Sequence, residues 1–183
     1  AGDRADVSEV RDIEARVIGQ HRGVHVLDTP EGELLASLAG RLRHESLGPA
    51  DLPAVGDLVI ASVEDGASAV IHTLLPRRTV LRRRDTGAHD GQVLAANVDE
   101  AFIVIPLHRD LTPLQVRIQQ YVALVRESGA VPVLLLTKSD LCPDISAQVA
   151  RATRAAPGVE VVVTSSVTGD GMDLVTARLA AGR

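Results

Sequence analysis

Three apolar runs, at residues 101–105, 131–136 and 159–164, constrain this chain more than any other feature. Each has the length of a strand and is too continuously apolar to have one wet face. Each is therefore expected to be buried on both sides, as in a parallel sheet covered by helices. The stretches between them change to a helical period. Leu114, Ile118, Tyr121, Val122 and Val125 fall on one helical face. Thr112 is expected to cap that helix, Pro113 to take its first position, Gln115 to complete a capping box and Gly129 to end it. A second helix is expected over 144–156, with Ile145, Val149 and Ala152 inward, and a third over 171–181, bounded by Gly182. The order β-α-β-α-β-α predicts an α/β sheet whose ligands bind beyond the carboxyl ends of its strands.

The half before residue 99 has another rhythm. Ile13, Ala15 and Val17 alternate with polar residues, and short apolar stretches follow at 24–27, 34–38, 58–63 and 69–75. Turn signals at 19–23, 30–32 and 64–66 and a Gly/Pro/Asp-rich loop at 44–54 separate them. This pattern predicts a small OB-type β-barrel. The expected organisation is a loose tail over 1–12, the barrel over 13–82, a connector over 83–98 and the α/β part over 99–183.

Composition narrows the partners. Phe102 and Tyr121 are the only aromatic residues, so the core must be aliphatic. No aromatic precedes Phe102, which counts against a barrel that binds single strands by stacking bases. A net charge of −5 argues against bulk attraction to nucleic acid or membrane. The charge is uneven, however: Arg77, Arg78, Arg82, Arg83 and Arg84 crowd together with no acid among them. Such a run is either a solvated connector or a surface for phosphates, as in shape-based contact with folded RNA. Val80 and Leu81 interrupt it and suggest a strand end. The lone Cys142 rules out an internal disulfide and fits a reducing compartment. No run has transmembrane length and the acidic start is no secretory signal, so a cytoplasmic location is expected. The six scattered histidines suggest no zinc site. The missing initiator methionine and the end at Arg183 read as a fragment.

Among 19 basic residues, Lys138 is the only lysine. It follows the second apolar run, in Thr137-Lys138-Ser139-Asp140. Asp140 there is either a turn or cap residue or a reader of guanine. Guanine presents N1–H and a 2-amino group side by side, and one carboxylate accepts from both. Adenine lacks that pair, and sites built to bond a specific group reject analogues lacking it by roughly 10⁴–10⁵. Lys138 would lay its stem along the base, a task for which a forked guanidinium is poorly shaped. A second polar turn, Thr164-Ser165-Ser166-Val167, follows the third run at the same expected edge. There the Ser166 amide would donate to guanine O6, with Ser165 shaping the loop.

These motifs resemble the GTPase superfamily: 137–140 is similar to [N/T]-K-x-D and 164–166 to the loop usually written S-A-K. Threonine at 137 shortens the side chain that usually reaches guanine N7, and Ser166 stands where alanine is usual. No G-x-x-x-x-G-K-[S/T] phosphate loop precedes them. A barrel first and specificity motifs next resembles the circularly permuted, ribosome small-subunit-dependent GTPases of the RsgA (YjeQ) type. Residues 53–57, 75–79, 95–99 and 168–174 extend the similarity. The resemblance implies a barrel followed by the first half of a permuted P-loop GTPase domain. It also implies GTP hydrolysis in late small-subunit maturation, with the barrel on ribosomal RNA. GTP or GDP would be bound by Thr137, Lys138, Asp140, Ser165 and Ser166. Mg²⁺ and a structural Zn²⁺ are implied only for a C-terminal part that this sequence lacks. No catalytic residue is expected in these 183 residues, which alone should be inactive. The alternative is a non-enzymatic RNA-binding module in which 137–140 is an incidental turn.

Overall fold

The computed structural model describes residues 10–21, 23–64, 68–83, 92–107 and 110–180. The chain divides into two compact units, Ala1–Asn97 and Val98–Arg183.

In the first unit, β1 (Arg11–His21), β2 (Val24–Thr29), β3 (Gly32–Leu38), β4 (Leu58–Glu64) and β5 (Ser68–Leu74) form a closed barrel in the order β1-β2-β3-β5-β4. All pairings are antiparallel except β3 with β5. This is the OB arrangement, and closure leaves no open edge. Alternation supplies the interior: Val17, Leu27, Val59, Ala61 and Ile71 are fully buried. The core is wholly aliphatic and rich in alanine, as the shortage of aromatics requires. Strand β1 begins earlier than expected, because Arg11 and Asp12 pair with Val63 and Ser62. Residues 1–9 of the expected tail lie outside the described residues. The stretch expected as loop contains the end of α1 (Gly40–Glu45) and a 3₁₀ turn, Pro49–Asp51.

A hairpin follows the barrel: β6 (Val80–Arg83) pairs antiparallel with β7 (Gln92–Ala96). Residues 92–96 were expected within a connector. They form a strand because Val93 packs on Ala50, Ala54 and Val80, a small core separate from that of the barrel.

Arg77 is one of the arginines expected to contact phosphates. It turns inward and grips Asp57, a carboxylate with no exposed side-chain surface, through Nε at 2.8 Å and Nη2 at 2.7 Å. Its remaining reach goes to the carbonyls of Ala50 (2.6 Å) and Leu52 (2.8 Å). These four internal hydrogen bonds occupy four of its five guanidinium donors. Arg82 and Arg83 do stand exposed on β6. Arg84 lies outside the described residues.

The second unit is a parallel sheet, β10-β9-β8, of β8 (Glu100–Pro106), β9 (Val131–Thr137) and β10 (Glu160–Val163). Central β9 is the most buried, with Val133, Leu134 and Leu136 at 1% exposure or less. Helices α2 (Gln115–Glu127) and α3 (Ile145–Ala155) pack on each other and on the sheet. From α4 (Met172–Ala180), Arg178 binds Glu100 at 2.9 Å and Glu160 at 2.6 Å, tying together the starts of the two outer strands. No helix among the described residues is long and apolar enough to cross a membrane.

Three helix details differ from expectation. Thr112 caps nothing: its amide and hydroxyl both donate to Asp110, at 3.1 and 2.9 Å. A 3₁₀ turn, Thr112–Leu114, intervenes, and α2 begins at Gln115, so the capping box does not form. Tyr121 is 47% exposed because Ile118, Val122 and Val125 already fill the inward stripe. Ile145, the first residue of α3, is exposed; burial there falls on Ala152 and Ala155.

His25, on β2, is fully buried, and neither ring nitrogen has a hydrogen-bond partner among the described residues. Burial pushes its pKa below the ordinary 6.5, against a smaller opposing pull from the nearby Pro53 carbonyl. The unfolded chain therefore takes up a proton that the folded chain refuses. This group's contribution to stability is complete above 6.5 and is lost as pH falls below that value. Urea midpoints measured from pH 8 to pH 5 should drop on the acid side for the native chain. His25→Leu should flatten that part of the drop; an unchanged acid slope would contradict the assignment.

Candidate functional site

The carboxyl ends of the three parallel strands form one edge. Their exits are stitched together: the Leu107 amide donates to Thr137 O (2.7 Å), the Thr164 amide to Leu136 O (2.8 Å) and the Ser139 amide to Thr164 O (3.1 Å). The two turns expected to act together are therefore joined by backbone hydrogen bonds before any side chain is considered.

After Thr137 the chain reverses through Lys138, whose φ of 60° and ψ of 41° are left-handed. Among the described residues, only Asn97 shares a positive φ without being glycine. This conformation costs an L-residue roughly 1–2 kcal/mol. It is held by the Ser139–Thr164 bond and by the Leu141 and Cys142 amides, which donate to Lys138 O (3.1 Å) and Ser139 O (3.0 Å). The reversal has a geometric result: Lys138 and Asp140 are exposed while Ser139 between them is buried. Thr137 is half-buried at the strand end.

Ser165 is the keystone of the second turn. It is fully buried. Its hydroxyl donates to Asp140 Oδ1 at 2.5 Å and accepts from the Val167 and Thr168 amides, both at 3.2 Å. The Ser165 amide donates to Asp170 O, and the Gly169 amide to Ser165 O. One side chain thus orders its own loop and orients the carboxylate of the other. Asp140 Oδ2 makes no hydrogen bond to the described residues. Ser166 is exposed beside it, its amide taking no part in the bonds of this turn among the described residues. The structure therefore brings Lys138, Asp140, Ser165 and Ser166 to one edge, with Thr137 at its base.

Asp170 and Gly171 belong to this assembly and were not among the expected site residues. At Gly171, with φ 67°, a Cβ would lie 2.1 Å from Val163 O, so no side chain fits there. The pair of glycines at 169 and 171 was the available signal, since both sit at positive φ.

The Asp110 turn completes the edge after β8. The Thr112 amide and hydroxyl hold the Asp110 carboxyl below its usual range, with Arg151 adding a smaller pull in the same direction. The Leu111 amide donates to Gln148 Oε1 at 3.3 Å. Among the described residues no three His, Cys, Asp or Glu side chains gather as they would around a metal ion.

The arrangement offers an oriented carboxylate, a neighbouring amide donor and a lysine stem, which together suit a planar ring bearing adjacent donors. Replacing Ser165 with alanine would strand two amides and release Asp140. Urea unfolding of Ser165→Ala should show a loss of about 1–3 kcal/mol; a loss below about 0.5 kcal/mol would show that the hydroxyl does not hold this turn.

Known proteins place the chain further. A family model described as RsgA GTPase matches residues 74–183. The small ribosomal subunit biogenesis GTPase RsgA of Syntrophotalea carbinolica is 46% identical over 179 residues, covering 93% of this chain and 48% of its own length. The protein of the same name from Opitutus terrae is 43% identical over 183 residues, with the same coverage. The chain spans about half the length of the curated relatives it matches. Two solved structures share its fold. YjeQ from Thermotoga maritima has a TM-score of 0.69 at 23% identity, over 92% of this chain and 57% of that one. YloQ, described as a circularly permuted GTPase, scores 0.64 at 19% identity, over 97% and 57%.

Proposed function

From the premise that this chain belongs to the RsgA GTPase family, we propose that it is the RNA-docking and guanine-selecting part of a GTPase of small ribosomal subunit biogenesis. The observation that carries this reading is the 2.5 Å bond from Ser165 to Asp140. It fixes one carboxylate oxygen, while Oδ2 makes no hydrogen bond to the described residues. Asp140 accepts guanine N1–H and the 2-amino group. The Ser166 amide donates to O6, which adenine lacks. Lys138 lays its methylene stem along the base, and its strained backbone keeps that stem beside the ring. Thr137 closes the base of the site, too short to bond N7 as an asparagine would.

RNA is met by the hairpin. Arg82 and Arg83 are exposed on β6, and guanidinium groups suit phosphate geometry. Arg77 is withdrawn from this role by its bonds to Asp57. The barrel, without aromatics, reads backbone shape and not stacked bases.

Phosphoryl transfer draws its rate from backbone amides, a lysine and Mg²⁺ at the phosphates. The single lysine here is engaged at the base. These 183 residues choose the nucleotide and do not turn it over.

Two measurements test this. In amide NMR spectra, GDP should shift the resonances of 137–141 and 164–167. Asp140→Asn should abolish that response and transfer it to XDP, whose C2 carbonyl matches the new amide; an unchanged preference for GDP would end the base-reading role. GTP incubated with the purified chain should be hydrolysed no faster than in buffer. A rate that Asp140→Asn abolishes would overturn the division of labour. A chain that binds RNA yet gives no guanine-dependent shift would favour a non-enzymatic RNA-binding module.

A further inference from the structure

Three stretches with no role in the nucleotide edge, residues 53–57, 75–79 and 95–97, meet at one place in the first unit. Asp57 Oδ2 accepts from the Ala54 amide (2.8 Å) as well as from Arg77. The Gly56 amide donates to Val17 O (2.7 Å) and the Val17 amide to Asp57 O (2.8 Å), so this turn is sewn to the barrel wall. The Ala96 amide, at the end of β7, donates to Val55 O (2.9 Å). Asn97, 8% exposed and left-handed at φ 54°, completes the junction. Its Nδ2 donates to Gly56 O (3.1 Å), its Oδ1 accepts from the Arg78 amide (2.8 Å), and its own amide donates to Thr79 O (2.9 Å). The approach is so close that a Cβ on Gly56 would sit 1.9 Å from Ala96 O.

Both roots of the β6–β7 hairpin are thus fastened to one turn, at Arg77–Thr79 on entry and Ala96–Asn97 on exit. Val93 adds a third anchor by packing on Ala50 and Ala54. The barrel does not need this junction for closure, since β1 pairs with β4 directly and the barrel core is a separate cluster. What the junction does fix is the direction in which β6 presents Arg82 and Arg83.

We propose that Asp57, Arg77 and Asn97 are positioning residues for RNA binding. They hold the arginine hairpin in its docking orientation without touching RNA themselves. This rests on the reading that Arg82 and Arg83 contact RNA. A hairpin held rigidly avoids the ordering cost that mobile side chains incur on binding. Loosening it should weaken affinity while leaving every phosphate of the bound state neutralised as before.

That distinction is measurable with protein-free small-subunit ribosomal RNA and the 183-residue chain across a salt series. Arg82→Gln with Arg83→Gln should weaken binding and flatten the dependence of log K on log salt, by about 0.7–0.9 for each phosphate that is no longer neutralised. Asn97→Ala and Val93→Ala should weaken binding about tenfold at fixed salt while keeping the native slope. Ile71→Val, in the barrel core, should lower the melting temperature and leave affinity alone. If the arginine variant binds as the native chain does, the RNA reading itself fails and the proposal with it. If that variant is impaired while folded Asn97→Ala and Val93→Ala bind normally, the reading stands and the positioning role is overturned. A slope reduced in Asn97→Ala or Val93→Ala as much as in the arginine variant overturns it too. Should Asn97→Ala fail to fold, Val93→Ala decides.

Discussion

The bond between Asp57 and Arg77 organises the first unit. A carboxylate without solvent is costly, and its removal from water is offset only by well-placed donors. Here two guanidinium donors and the Ala54 amide supply them, one to Oδ1 and two to Oδ2. The arginine is satisfied in turn by the Ala50 and Leu52 carbonyls. Each of those carbonyls belongs to the irregular connection between β3 and β4. The ion pair therefore sets the shape of a loop that no ladder hydrogen bond could set. Through Gly56 and Val17 the same loop reaches the barrel, and through Ala96 and Asn97 it reaches the hairpin.

The second unit uses a hydroxyl where the first uses an ion pair. Ser165 is buried and spends its hydrogen-bonding capacity on one carboxylate and two amides. Lys138 carries the backbone strain of the same edge. Strain of this kind persists only where surrounding bonds over-determine the conformation, and the ties among Ser139, Thr164 and Leu136 do that. In both units a buried polar contact fixes an irregular turn, and exposed polar groups stand next to it: Asp140 and Ser166 beside Ser165, Arg82 and Arg83 beyond Arg77. The α/β edge thus combines a hydrogen-bonded interior with solvent-facing polar groups, and the hairpin does the same with different chemistry.

Periodicity and polar motifs, read locally, determined much of this protein. Alternation at Ile13, Ala15 and Val17 specified a barrel strand, and the apolar runs specified buried parallel strands, because burial on one or both faces is a property of the residues themselves. The lone lysine beside Asp140 drew attention to the carboxyl edge of the sheet, since a residue type used once stands out against its background. What only the tertiary structure decided is where long-range partners lie. Five crowded arginines look alike along the chain, yet Arg77 is taken inward because Asp57, twenty residues earlier, is buried and needs it. Val93 reads as connector until Ala50 and Ala54 make it core. In each case the deciding partner is a polar or packing contact set by three-dimensional proximity, which no local pattern encodes.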